Sequence, residues 1–365
     1  MQSDKLKIVL LFGGRSAEHE VSLRSARSIF EALDRDKYHV IPVLITMEGG
    51  WYLRPEELSS FDADADFDEK DPIIVSPDPT HRGLLRLNNS GRIEPMPVDV
   101  VFPVLHGTFG EDGTVQGLLE LANLPYVGCG VMASAVGMDK IVMKAAFRDI
   151  GLAVGPFFWF LRSEWNQDPE RVLKKLRFSR FPVFVKPANL GSSVGISRVT
   201  GPQGFKDAVD LAASYDRKVL VEDGISGREL EVSVLGNDDP IASLPGEVVS
   251  HAEFYDYEEK YLQDTAELRI PADLPPDVVE EARKVAVTAF RSVDGSGLAR
   301  VDLFLTEENE IMVNEINTIP GFTSISMYPK LWEATGLTYS KLLDRLVELA
   351  LERHRDKQEI RTARN

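Results

Sequence analysis

Two strand-like runs joined by a short polar loop constrain this chain more than any other feature. Residues 299–305 alternate, with Arg300, Asp302 and Phe304 on one face and Val301, Leu303 and Leu305 on the other. Residues 311–317 alternate as well, with Val313, Glu315 and Asn317 together. The intervening Thr306-Glu307-Glu308-Asn309-Glu310 has the polarity of a hairpin loop. Pairing Thr306 with Ile311 sets Asp302 opposite Glu315 and Arg300 opposite Asn317. Opposed side chains lie about 5 Å apart, and two opposed carboxylates repel unless a cation sits between them. Oxygen donors without sulfur or imidazole suit a hard ion such as Mg²⁺, and Asn317 adds a ligand without adding charge. One or two such ions bridge the phosphates of ATP in phosphoryl transfer. A solvated hairpin face closed by an Arg300–Asp302 salt bridge is the competing reading. Pro320-Gly321-Phe322-Thr323-Ser324 follows at once and offers backbone donors beside the same face.

The rest of the chain supplies a setting for that hairpin. Residues 8–12 read as a strand, Gly13-Gly14 as a turn, and Ser16 as the cap of a helix with Val21, Leu23, Ile29, Phe30 and Leu33 on its apolar side. Strands near 39–46 and 98–105, a helix over 114–122 and a short strand at 126–127 complete an alternating pattern. That pattern predicts a parallel sheet in a βαβ domain over residues 1–128. A helix over 133–150 ending at Gly151, strands at 157–161 and 183–186, a helix started by Asp168-Pro169 and another over 205–214 predict a second unit, residues 129–226. After a strand at 220–222, strands at 230–235, 299–305 and 310–316, with amphipathic helices over 276–293 and 339–352, give the third, residues 227–365, α+β in character. The charged tail from Arg353 is expected to fray.

No G-x-x-x-x-G-K-[ST] run is present, so a P-loop is excluded, and the first turn is not G-x-G-x-x-G. Gly191-Ser192-Ser193-Val194-Gly195 matches G-x-S-x-G, the pattern of a hydrolase nucleophile elbow centred on Ser193. An elbow needs a strand immediately before and a helix immediately after. Here residues 187–190 intervene, and Ile196-Ser197-Arg198-Val199 looks extended. A Gly/Ser loop whose backbone amides and hydroxyls wrap phosphate fits better, because it follows a strand ending in Lys186. A surface hairpin with a snorkelling lysine competes with that reading. Glu222 and Glu229-Leu230-Glu231-Val232 add strand-borne acids able to hold a ribose hydroxyl or an adenine-side group, or simply to stay solvated.

Taken in order, Gly13-Gly14-Arg15-Ser16-Ala17-Glu18, the His106–Gly113 run HGTFGEDG, Met138-Asp139-Lys140, Val185-Lys186-Pro187, the 191–195 loop, the 254–261 run FYDYEEKY, Arg300-Val301-Asp302 and the 314–321 run NEINTIPG resemble the D-alanine–D-alanine ligase family of the ATP-grasp superfamily. The resemblance spans residues 7–351, and departs from the common pattern at His19, often Arg, and at Thr108-Phe109. It implies a two-part ATP-grasp fold behind the βαβ domain. The implied reaction phosphorylates the carboxylate of one D-alanine with ATP. The amine of a second D-alanine then attacks the acyl phosphate, giving D-alanyl-D-alanine for peptidoglycan precursors. Carried over residue by residue, Glu18 holds the ammonium of the first D-alanine, with His106 nearby. Lys140, Lys186, Ser193, Glu222 and Glu229 bind nucleotide, and Lys260 reaches the γ-phosphate. Ser192 covers the phosphates and forms an ordering triad with Glu18 and Tyr261. Arg300 and the Gly321 amide stabilise the oxyanion, and Ser326 with Met327 shapes the second D-alanine pocket. Asp302, Glu315 and Asn317 hold two Mg²⁺ ions, with Mn²⁺ as a substitute. Loops at 191–195 and 246–263 are expected lids over the acyl phosphate. The resemblance further implies a homodimer through the first domain, and the Tyr at 261 favours dipeptide over D-alanyl-D-lactate.

Charge and cysteine content agree. A net charge of −17 argues against nucleic acid or an anionic membrane as partner. Part of it sits in residues 62–71, six acids against one Lys, which lack the Gly and Glu of a calcium loop and read as a surface loop. The single cysteine and the missing apolar leader predict a cytoplasmic protein. A serine hydrolase using Ser193 and a non-catalytic nucleotide sensor are the readings outside this class.

Overall fold

The computed structural model describes residues 5–63, 71–88, 91–177, 179–191, 193–249 and 267–361. The chain opens with β1 (Leu6–Gly13), α1 (His19–Ala32), β2 (Tyr38–Ile45) and β3 (Trp51–Leu53). Next come β4 (Ile73–Val75), β5 (Gly83–Leu87), β6 (Ile93–Pro97), β7 (Val100–Val104) and α2 (Thr114–Leu121). The first sheet has the order β3-β2-β1-β7, with β1 parallel to both β2 and β7 and β3 an antiparallel edge. Its strands are apolar on both faces, as a sheet covered on both sides requires. Ile8, Leu10 and Phe12 point toward α1; Val9 and Leu11 point toward α2 and the small antiparallel sheet β4-β5-β6. Composition hides that small sheet: β6 carries Pro95 and Pro97, which an edge strand tolerates but a strand pattern penalises.

The middle of the chain contains α3 (Val131–Met138), α4 (Lys140–Asp149), β8 (Phe157–Leu161), α5 (Arg162–Gln167), α6 (Pro169–Leu176), β9 (Val183–Pro187), β10 (Ser197–Val199), α7 (Phe205–Tyr215) and β11 (Lys218–Asp223). Its sheet, β10-β9-β11-β8, is antiparallel throughout and packs on α6 and α7 through Val172, Leu176, Phe205 and Val209. The Asp168 carboxylate accepts from Arg171 N at 3.2 Å, capping α6 as its Asp-Pro start predicts. The single helix expected over 133–150 is two. Asp139 breaks it because its carboxylate accepts the Ile141 and Val142 amides, making it the cap of α4.

The last sheet is built from β12 (Gly227–Gly236), β13 (Ile241–Ala242), β14 (Gly246–Val249), β15 (Glu267–Arg269), β16 (Gly297–Thr306) and β17 (Ile311–Asn317). Its order is β15-β14-β12-β16-β17, with β13 beside β12. Helix α8 (Pro276–Ser292) and α4 cover one face through Ala282, Ala286, Phe290, Met143 and Phe147. Strand β14 occupies the start of the segment expected to be a lid at 246–263, so those residues are sheet; residues 250–263 of it lie outside the described ones. Two helices finish the chain, α9 (Met327–Ala334) and α10 (Tyr339–Glu359). Leu342, Leu346 and Val347 of α10 join the core of the first sheet.

The fraying expected from Arg353 is not observed through Glu359. Arg353 donates to Tyr126 O at 3.0 Å and Ser296 Oγ at 2.7 Å and contacts Gly128 O, while Gln358 meets Asn123 at 2.8 Å. These tertiary bonds hold the last turns, where charge alone predicts a loose end. The acidic stretch is anchored at both ends, Asp62 to Arg27 and Asp71 to Arg86, each at 2.6 Å.

Register in the β16–β17 hairpin departs from expectation in an instructive way. Leu305, not Thr306, pairs with Ile311, followed by Phe304 with Met312 and Leu303 with Val313. A bulge at Asn314 then shifts the register by one, so Asp302 still faces Glu315 and Arg300 still faces Asn317. The bulge also moves Val313 to the buried face with Ile316, away from Glu315 and Asn317. Val313 is held there by its amide, which donates to Ala153 O at 2.8 Å.

Candidate active site

One wall of the site lies beyond the carboxyl ends of β1 and β7, where ligands bind open parallel sheets. Helix α1 begins at His19, with Glu18 rather than Ser16 in the capping position. Ser16 turns inward instead: its hydroxyl accepts from Glu18 N at 2.9 Å and donates to His106 O at 2.7 Å, which fixes the Glu18 turn on the loop after β7. His106 is buried. Its Nδ1 lies 3.0 Å from Ile319 O, a carbonyl that only accepts, so Nδ1 carries the proton. Nε2 then accepts from Ser25 Oγ at 3.2 Å. Burial lowers the His106 pKa against the opposing pull of Glu18, keeping the ring neutral. Glu111 is buried next to them and accepts from Gly107 N at 2.6 Å. Burial, and then the Glu18 carboxylate, raise its pKa well above the usual range, against the opposing pull of the Gly107 and Ile319 backbone and of Arg300. Gly107 is required here: at φ +75° a Cβ would stand 2.7 Å from a Glu18 oxygen. A Cβ at Gly191 would come within 3.2 Å of the same carboxylate, so the Gly/Ser loop closes against Glu18.

The opposite wall is a charged cluster between α4, β9 and β11. Glu222 accepts from Lys144 and Lys186, each at 2.7 Å. Desolvation alone would raise the Glu222 pKa, but the two ammonium groups hold it down to about 2. Burial opposes the charge on Lys186 as well, yet Glu222 and Glu315 raise its pKa. For Lys144 burial wins over Glu222, and the pKa falls. Lys140, one helical turn before Lys144, donates to Leu190 O at 3.0 Å and lies 3.4 Å from Glu315. It thus ties the loop leading into Gly191 to the acid-bearing hairpin.

That hairpin forms the floor. Glu231 of β12, Asp302 of β16 and Glu315 of β17 are lateral neighbours in one row, with Ser233, Arg300 and Asn317 in the next. Arg300 reaches across the row: its Nε and Nη2 donate to Asp302 at 2.6 and 2.7 Å, and Nε lies 3.0 Å from Glu231. The Arg300–Asp302 salt bridge therefore forms, and it does so inside the site, not on a solvated face. Asn317 Oδ1 accepts from Ile319 N at 3.1 Å, which leaves it a second lone pair. Beyond it, a Cβ at Gly321 would stand 3.0 Å from Ser326 Oγ. Ser326 Oγ accepts from Thr323 N at 3.0 Å and shares a 2.7 Å bond with Thr323 Oγ1, so Ser326 begins α9 without capping it. Met327 is buried against Val248 and Leu331.

Most residues expected from the sequence converge here: Glu18 and His106 on one wall, Lys140, Lys186 and Glu222 on the other, Arg300, Asp302, Glu315 and Asn317 between. Glu229 is exposed, two residues before Glu231 on β12. Ser192, Lys260 and Tyr261 lie outside the described residues. Ser193 sits in a turn between β9 and β10 at φ +58°, strand–loop–strand with no helix following, which removes the nucleophile-elbow reading. Sequence reasoning missed Glu111, Lys144 and the place of Glu231. The four-residue spacing from Lys140 behind an Asp cap was a usable signal for Lys144. Among the described residues no three His, Cys, Asp or Glu are grouped to hold a metal, so the oxygen donors on offer for one are two facing carboxylates and an amide.

Comparison with known proteins agrees along the chain. Residues 7–129 match the family model described as D-ala D-ala ligase N-terminus, and residues 146–348 the model described as D-ala D-ala ligase C-terminus. A D-alanine–D-alanine ligase of Heliobacterium modesticaldum is 51% identical over 99% of this chain and 98% of its own length. One from Natranaerobius thermophilus is 48% identical over 97% of each. Among solved structures, the D-alanine–D-alanine ligase of Coxiella burnetii superposes with a TM-score of 0.84 at 40% identity, covering 98% of this chain and 97% of that one. The VanG D-Ala:D-Ser ligase of Enterococcus faecalis gives 0.84 at 37%, over 95% and 100%.

Proposed function

The chain belongs to the D-alanine–D-alanine ligase family, and we propose how its residues divide the work of joining two D-alanine molecules with ATP. The reaction serves peptidoglycan precursor synthesis and runs through the fold of the ATP-grasp ligases. In the first step a carboxylate oxygen of D-alanine attacks the γ-phosphorus of ATP and ADP leaves. In the second, the amine of another D-alanine attacks the acyl carbon, a tetrahedral intermediate forms, and phosphate departs as the amide is made.

Negative charge accumulates in both steps, so preorganised cations and amides dominate the chemistry. Glu18 binds the ammonium of the first D-alanine, held at the mouth of the crevice by Ser16 and His106. Burial disfavours charge on both His106 and Glu111, which keeps that subsite from filling with further charge. Lys140, Lys186 and Glu222 line the nucleotide, with Ser193, Glu229 and Lys260 assigned to it as well. Ser192 and Tyr261 complete the ordering triad with Glu18. Arg300 and the Gly321 amide receive the oxyanion, and Ser326 with Met327 bounds the second amino acid. Asp302, Glu315 and Asn317 would hold Mg²⁺ or Mn²⁺ as hard oxygen donors, and the ion would supply neutralisation of phosphate charge there. We further assign the three units 1–128, 129–226 and 227–365, a homodimer and a cytoplasmic location; among the described residues no helix is long and apolar enough to cross a membrane.

The observation that carries this reading is Lys140, whose ammonium meets both the Leu190 carbonyl and Glu315 and so joins the Gly/Ser loop to the acid hairpin. Incubation with ATP, Mg²⁺ and D-alanine should release phosphate and yield the dipeptide. Parallel reactions with D-lactate or D-serine added identify the second substrate. Background phosphate release at millimolar D-alanine overturns the reading, and ATP binding without turnover makes the chain a sensor instead.

A further inference from the structure

Lys144 belongs to no expected role, yet its contacts are unusual for a side chain only 3% exposed. It sits on α4 one turn after Lys140, so both ammonium groups leave the same face of the helix. Nζ donates to Glu222 Oε1 at 2.7 Å and to the carbonyl of Asn314 at 2.8 Å. Glu222 lies on β11 and presents its other oxygen to Lys186. Asn314 is the bulge residue of β17, immediately before Glu315. A bulge leaves one backbone group without a partner in its own ladder, and a buried carbonyl of that kind needs a donor. Two sheets that share no strand are therefore bonded through one ammonium. Each bond fixes a group one step removed from the reacting atoms: the Glu222–Lys186 pair in the nucleotide wall, and the turn of backbone that points Glu315 at Asp302.

We propose that Lys144 is a positioning residue that locks the nucleotide wall to the bulged acid strand, setting Lys186 and Glu315 in register for the same ATP. The inference rests on the nucleotide reading above and goes beyond it, since the Lys144 ammonium is engaged by Glu222 and the Asn314 carbonyl.

The test is Lys144→Met, which keeps the length of the stem and removes both bonds. Expected results are an ATP KM and a metal-free ADP dissociation constant each raised about tenfold or more, the scale of one lost charge-assisted hydrogen bond, with the KM for D-alanine unchanged. A purely structural ion pair would lower the melting temperature and leave ADP affinity at the wild-type value, and ADP affinity within about twofold of wild type, inside ±0.5 kcal/mol, overturns the proposal. If Lys144→Met does not fold, Lys144→Arg keeps the charge on Glu222 but not the geometry toward Asn314. It should bind ADP more weakly than wild type, and wild-type affinity there overturns the proposal equally. Failure of wild-type enzyme to bind ADP would instead sink the nucleotide reading, so the two failures are distinct.

Discussion

Burial disfavours charge on both His106 and Glu111, which are tied to backbone, to Ile319 O and to Gly107 N. Around Glu222 the buried polar groups are charged and tied to one another, through Lys144 and Lys186. Both clusters are equally removed from water, so burial does not explain the contrast. Composition of the immediate shell does. Glu111 has another carboxylate, Glu18, for a neighbour, and this adds to burial in raising its pKa. Glu222 has two ammonium groups and remains ionised. The first arrangement sets Glu18 beside groups that burial holds toward neutrality. The second gathers two lysines around one acid. An acidic protein thereby carries a locally basic wall, which suits the nucleotide reading proposed above.

If pairing holds the second cluster together, removing its centre should have the largest effect. Glu222→Leu strands two buried ammonium groups and should cost about 3–5 kcal/mol of stability, read by denaturant unfolding. A loss below about 1 kcal/mol would mean the lysines find water, and the contrast with the first cluster would collapse. Next in size is the floor between the clusters. Asp302→Ala or Glu315→Ala should leave the fold intact and lower Mg²⁺-ATP turnover by at least ~100-fold, since even outer-shell partners of a metal cost 10–100-fold. Wild-type turnover in either variant would remove the hairpin from the chemistry.

The buried acids of the two clusters also predict opposite responses to pH. Glu222 is depressed from 4.5 to about 2, so its contribution is complete above 4.5 and is lost as pH falls through that window. Neutral His106 adds acid sensitivity below 6.5. Glu111 has the reverse sign: its pKa is raised above 4.5, so stability declines as pH rises from that point. Unfolding measured from pH 2 to 9 should show both limbs in wild type, with the acid limb diminished in Glu222→Leu.

The sequence reading succeeded and failed for reasons visible in single residues. Asp302 opposite Glu315 was legible because alternation and loop length fix a hairpin. The starting pair was wrong by one, however, and only the bulge at Asn314 brings the acids into register. Nothing local in Val313-Asn314-Glu315 announces a bulge; it is imposed by Ala153 O and Lys144, which are distant in sequence. The break between α3 and α4 was hidden for a different reason: apolar periodicity runs across Asp139, and its capping bonds matter only once the chain has turned. Glu111 and Lys144 were invisible as partners because burial, which decides their charge state, depends on the assembled fold.

The smallest predicted effect is the most discriminating. Glu111→Gln copies the shape and hydrogen-bond capacity of the protonated acid, so it should leave D-alanine KM within about twofold of wild type, inside the ±0.5 kcal/mol of a neutral change. Its signature is in pH. An amide never loses the proton that Glu111 is forced to give up as pH rises, so the variant should gain stability relative to wild type steadily above pH 4.5, the unperturbed value. Glu111→Ala provides the contrast: it strands Gly107 N and should lie about 1–3 kcal/mol below Glu111→Gln, with the same pH trend relative to wild type. A stability difference between Glu111→Gln and wild type that does not change with pH would show that Glu111 is not protonated. The first cluster would then have to hold two anions, and the distinction between protonated and paired buried acids would fail at its more delicate end.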